Sequence, residues 1–165
     1  MFKHILLAID DSASAAMACS FTVALATSSG GDVEVIHVHE LSGIGRGYAT
    51  ESVVAARSRL STALADLREA GISASGAVAT ASAAAVVQRI AAAAERCDAD
   101  VIVVGSSAHR HFHRLRHRKT RERLSRLTTL PVIIAPPPMP IRRHARLDYT
   151  ELLTPRGRAN SSLRA

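Results

Sequence analysis

The chain has 165 residues, 47% of them hydrophobic and 21% charged, which suits one domain with its own core and excludes a wholly disordered chain. Its formal charge is +7, yet residues 109–126, from His109 to Arg126, hold eight Lys/Arg against one acid, and residues 136–165 hold six Arg against two. The remainder is therefore net acidic, a uniformly basic protein is excluded, and any polyanionic partner must be met by that one segment or by the tail.

The first element is the apolar run Ile5-Leu6-Leu7-Ala8-Ile9, which stops at Asp10-Asp11-Ser12. It reads as a strand buried on both faces, followed by a helix N-terminus. Residues 13–27 are Ala-rich, with Met17, Phe21 and Leu25 at i, i+4 and i+8, which predicts a helix carrying that apolar stripe. A second strand is predicted over 33–38, with His37 and His39 on one face as packed or edge histidines. Gly43, Gly45 and Gly47 make 41–49 read as a mobile loop.

Residues 50–70 predict a long helix with Val53, Ala56, Leu60, Ala63, Leu64 and Leu67 on one side, and Gly71 stands where a C-terminal cap belongs. A weaker strand is predicted over 72–79. A helix over 82–97 follows, capped by Ser82, with Val86, Val87 and Ile90 facing inward. Val101-Ile102-Val103-Val104-Gly105 is the clearest buried strand. Beyond the basic segment, 120–127 predicts a helix with Leu124 and Leu127 inward. The last strand spans 130–135, with Pro131 at its start, where no ladder donor is needed. Pro136-Pro137-Pro138 ends regular structure, so the expected organisation is a domain over 1–135 and a Pro-rich linker with a basic tail, flexible or docked on a dimer, over 136–165.

Strands alternating with helices imply an α/β fold: a Rossmann-like, open, five-stranded parallel sheet with helices on both faces. In such sheets ligands sit beyond the carboxyl ends of the strands, where the strand order reverses. Asp10, Val38 and Gly105 all fall at such ends. The N-terminal apolar run is too short for a signal peptide, and no run approaches the ~18 residues of a membrane span. Cys19 and Cys97 form no CxxC. A reduced, cytoplasmic, soluble protein without a membrane partner is expected.

These landmarks resemble the universal stress protein family. Lys3 to Ser12 looks like its first strand and acidic turn, Ile36-His37-Val38 like its second strand, Val101 to Ser106 like its fourth, and Leu130-Pro131-Val132-Ile133-Ile134 like its fifth. The resemblance covers 2–135 and implies strand order 3-2-1-4-5 and a homodimer formed through the last strand, Pro131 to Ala135. Nucleotide-binding members carry G-x2-G-x9-G-[S/T] after the fourth strand, because glycine lets backbone N–H groups approach phosphates and the next helix points its positive end at them.

Laid from Gly105, the second glycine falls on Ala108, the third on Arg118 and the Ser/Thr position on Lys119. Pro131-Val132 then falls where the family has its Pro-Val. Only Gly105 stands, so the chain looks like members that lack the motif and do not bind ATP. The resemblance also matches Asp10 to the acid at the adenine-ribose end and Val38 to the position whose backbone reads adenine.

Three readings of the basic segment stay open: a solvated face, an anion site in which Arg118 and Lys119 replace the glycines, and contact with a nucleic-acid backbone. Only one aromatic residue, Phe112, lies in it, a poor stacking platform for single strands. His109, His111, His113 and His117 are interleaved with Arg, which repels a metal cation, and no metal is expected. No G-x-S-x-G, H-E-x-x-H or Walker loop occurs, and Ser106 and Ser107 read as capping or anion contacts and not as nucleophiles. The sequence points to a regulatory or stress-response module, not an enzyme, with a degenerate ATP loop and no cofactor. The alternatives are an ATP binder that uses Asp10, Val38, Gly105, Ser106, Ala108, Arg118 and Lys119, and a docking protein for nucleic acid or polyphosphate.

Overall fold

A computed structural model describes residues 1–12, 14–42, 48–49, 51–106 and 122–136. Its elements are β1 (His4–Ile9), α1 (Ser14–Ser29), β2 (Asp32–Ser42), β3 (Tyr48–Ala49), α2 (Val53–Glu69), β4 (Ala74–Ser82), α3 (Val86–Arg96), β5 (Val101–Val104), a short α4 over 122–127, and β6 (Val132–Ile134). Five strands are parallel, in spatial order β4-β2-β1-β5-β6. Counting parallel strands alone, this is the expected order 3-2-1-4-5. The strand order reverses at β1, between β2 and β5.

Two apolar clusters hold helices to the two faces of the sheet. Ile5, Leu7, Ile9, Val33, Val35, Val101 and Val103 pack with Ala18, Cys19 and Ala26 of α1 and Ala63 and Leu67 of α2. Leu6, Ala8, Ile36 and Ile102 pack with Val87, Ile90, Ala91 and Ala94 of α3 and Leu124 of α4. Strand alternation sends successive side chains to opposite faces, so continuous apolar runs such as Ile5–Ile9 serve both clusters. At the amino edge, Asp100 accepts the backbone N–H groups of Lys3 and His4 at 2.5 and 2.9 Å. Those bonds hold its carboxyl below the usual value and tie the start of β1 to β5.

Several sequence expectations are corrected. The face of α1 turned to the sheet is Ser14, Ala18, Cys19, Thr22, Ala26 and Ser29, while Met17, Phe21 and Leu25 lie half-buried at its margins. Small side chains let the helix lie close to the sheet, which the larger stripe would prevent. Leu124 is fully buried, but Leu127, expected inward, is 47% exposed and lies at the end of α4.

Ser82 does not cap α3: β4 stays paired with β2 through Ser82 opposite Leu41, and α3 starts at Val86 after a turn, with no side-chain cap. Strand β2 runs on to Ser42, and Tyr48–Ala49 pairs antiparallel with it, so 41–49 is not wholly loop. Helix α2 begins three residues later than expected, where Ser52 caps it by accepting Ala55 N–H. Gly71 does end α2. Its φ is +79°, its N–H bonds the Arg68 carbonyl, and Ile72 N–H bonds that of Leu67, the two bonds of a Schellman cap.

Candidate functional site

The site residues described by the structure gather at the carboxyl edge. Ile9 pairs with His37 across β1–β2, and Ala8 with Val104 across β1–β5. Extending these registers by one step on the β2 side and by two on the β5 side sets Asp10 level with Val38 and with Ser106. Residues from three adjacent strands thus line up at the point where strand order reverses, the expected ligand position.

Asp10 ends β1 and starts the turn into α1. Its Oδ1 accepts Ser12 N–H at 3.0 Å and Ser12 Oγ–H at 2.5 Å, and Ser12 Oγ is 2.6 Å from Ser14 Oγ. The acid therefore organises the helix start, whether or not it meets a ligand. Val38 packs against the α3-side cluster through its side chain; it does not end its strand as expected, because β2 stays paired with β4 past it and runs on to Ser42. Gly105 follows β5; a Cβ there would lie 3.3 Å from Ser14 Oγ and 3.4 Å from the Ser14 carbonyl oxygen. This glycine admits the start of α1 at close range. Ser106 Oγ is buried and has no hydrogen-bond partner among the described residues. Ala108, Arg118 and Lys119 lie outside the described residues, as does most of the basic segment. Within the described part of that segment, Arg123 donates to the Ala84 carbonyl at 2.9 Å and so joins α4 to the turn before α3.

Beside Asp10 lies a polar cluster that sequence reasoning did not assemble. His37, 1% exposed, directs Nδ1 at the Ile9 carbonyl, 3.1 Å away, and Nε2 at Glu51 Oε1. Glu51 Oε2 accepts Arg59 Nε–H at 3.0 Å, and His39 Nε2 donates to the Glu51 carbonyl at 2.8 Å. Burial would push the Glu51 carboxyl up; hydrogen bonds and charge from His37 and Arg59 outweigh it and hold the group below its usual value. Leu41 pairs with Ser82 on one edge of β2 and with Ala49 on the other. Strand β3 therefore lies on the β1 side of β2, past the end of β1, and brings Glu51 over His37. The alternation of β2 put His37 and His39 on one face in sequence; no local signal marked Glu51, because its role depends on where the chain returns.

Chemically, this edge offers an anchored carboxylate at Asp10 and a buried hydroxyl at Ser106, with Val38 level with Asp10 inside β2. Among the described residues no group of three His, Cys, Asp or Glu could hold a metal ion, and no helix is long and apolar enough to cross a membrane. Both cysteines are free; burial and the nearby Asp66 push the Cys19 thiol up to about 11. A cleft of about 700 Å³ opens at the opposite, amino edge, against Lys3, His4, Gly31 and Ser73, away from every candidate residue.

Sheet order and edge geometry define a doubly wound α/β protein whose strand order reverses at β1. The family model for the universal stress protein family matches residues 1–136, and the chain belongs to that family. Its fold is similar to a universal stress family protein from Burkholderia pseudomallei, with TM-score 0.64 and 24% identity over 82% of this chain and 96% of that one. It is also similar to the universal stress protein from Archaeoglobus fulgidus in complex with dAMP, with TM-score 0.60 and 24% identity over 81% and 98%. A universal stress protein in complex with cAMP matches with TM-score 0.62 and 15% identity over 82% and 97%. Comparison with curated protein sequences gave no match.

Proposed function

We propose that this chain is a regulatory, non-enzymatic member of its family whose carboxyl edge lacks the ordinary means of holding a nucleoside triphosphate. The observation that carries the reading is the replacement of the loop glycines by Ala108 and Arg118, with Lys119 at the hydroxyl position. In that pattern glycine supplies a positive φ and lets backbone approach phosphate closely, which alanine and arginine as residue types do not. The packing of Gly105 against Ser14 and the bonding of Asp10 to Ser12 give both remaining positions a role in the fold itself. A stress-response role, a homodimer through Val132–Ile134 with its flanking residues, and a polyanion at the basic segment belong to the same proposal.

A second reading is adenine-nucleotide binding, with Arg118 and Lys119 supplying charge in place of the glycines. The side-by-side register of Asp10, Val38 and Ser106 supports it, as do the dAMP and cAMP held by two structural neighbours. Thermal unfolding with millimolar ATP, dAMP or cAMP separates the two. The first reading predicts no shift. A shift that disappears in Arg118→Ala/Lys119→Ala would establish the second and overturn the first.

A further inference from the structure

Both ring nitrogens of the buried His37 are engaged, and their partners fix the proton count. The Ile9 carbonyl only accepts, so Nδ1 carries a proton. Glu51 Oε1 also accepts when ionised, so Nε2 must carry one as well; the alternative is a protonated Glu51 facing a neutral ring. Arg59 on Oε2 favours the carboxylate, and the depressed Glu51 carboxyl agrees. The pair is therefore imidazolium and carboxylate, in contact across the end of β1.

Among the described residues, few other charges surround it. Helix α1 carries one ionisable side chain, Cys19, kept protonated by burial, and β4 carries none. Just past β1 stand Asp10, already bonded to Ser12, and Asp11; His4 of β1 and Asp32 and Glu34 of β2 lie toward the amino edge; β2 also contributes His39, which donates to the Glu51 carbonyl, and Glu40, which strand alternation places on the other face. Helix α2 contributes Arg59 itself, the exposed Arg57, and Asp66 near Cys19, with Arg68 and Glu69 at its far end.

We propose that His37 and Glu51 form a proton-dependent tie that fastens β3 and the first turn of α2 to the carboxyl edge of the sheet, next to Asp10. When the Nε2 proton leaves to solvent, a lone pair faces a carboxylate oxygen, two acceptors with nothing between them, and the contact gives way. The Ile9 bond survives, because Nδ1 keeps its proton. The tie goes beyond the nucleotide question and stands whichever ligand, if any, the edge accepts. The signs differ for the two partners. Loss of the imidazole proton as pH rises breaks the tie from above. The depressed Glu51 carboxyl is ionised, and the tie intact, above the ordinary carboxylate range; protonation as pH falls through its lowered value breaks it from below.

The test uses the ligand-free full chain, scanned upward in pH until His37 Nε2 loses its proton. Imidazole ¹⁵N shifts report the His37 Nε2 proton, and amide exchange, corrected for the intrinsic rate at each pH, reports β3 and the start of α2. Protection there is expected to fall about tenfold or more as Nε2 deprotonates, while β1 and β5 amides keep theirs. In Glu51→Gln the side-chain amide donates to the neutral ring, so protection persists at the high-pH end. Flat protection in the unmodified chain through Nε2 deprotonation overturns the proposal, and so does a fall in Glu51→Gln equal to that of the unmodified chain.

Discussion

Asp98 has φ +47°, the one positive value at a non-glycine residue among those described. It ends α3 in the same way that Gly71 ends α2: Asp98 N–H bonds the Glu95 carbonyl at 3.3 Å and Ala99 N–H bonds that of Ala94 at 2.9 Å. A side chain in this left-handed conformation costs on the order of 1 kcal/mol, less for Asp than for most residues because its short polar side chain is tolerated there. Asp98→Gly is expected to stabilise the fold by about 0.5–1 kcal/mol and raise Tm by roughly 2–4 °C; an unchanged or lower Tm in calorimetry would contradict this. At this scale the sequence was legible where a residue acts alone. Gly71 announced its cap, and Asp10 its place at the end of a strand. Asp98 and Glu51 did not announce themselves, since the first takes its conformation from the need to turn into β5 and the second takes its role from the path of β3.

The strands of the sheet were legible as elements because Ile5–Ile9 and Val101–Val104 are apolar runs too short for helices and are buried on both faces. Helix faces were less so. Bulk drew attention to Met17, Phe21 and Leu25, whereas the close approach of α1 to the sheet selects Ala18, Thr22 and Ala26. The same limit applies to α4, where Leu124 is wholly buried and Leu127 is half-exposed. Urea denaturation should separate them. Leu124→Ala is expected to cost about 2–4 kcal/mol through lost burial and the cavity left behind, and Leu127→Ala less than about 1 kcal/mol. Equal losses would mean that α4 presents a different face. Boundaries were missed where tertiary pairing extends a strand, as when β2 and β4 stay paired to Leu41 and Ser82 and displace the start of α3.

For the whole molecule, the net charge of +7 belongs to one segment and a tail carried by a mildly acidic body. The parallel α/β sheet followed from the alternation of elements, and the strand order and family from the resemblance of Lys3–Ser12, Ile36–Val38, Val101–Ser106 and Leu130–Ile134 to family landmarks. What the edge holds did not follow: Ala108, Arg118 and Lys119 lie outside the described residues, and the register of Asp10, Val38 and Ser106 alone does not name a ligand. Charge alone attracts a polyphosphate weakly and loosely, and salt screens it over about 10 Å at 0.1 M, whereas a formed site keeps its affinity. Isothermal titration of the full chain with MgATP, at low and at near-physiological salt, therefore tests the central claim most directly. The expected result is no saturable heat at near-physiological salt up to millimolar ATP, with any low-salt signal lost on adding salt. A saturable, one-to-one heat that survives the added salt would contradict it.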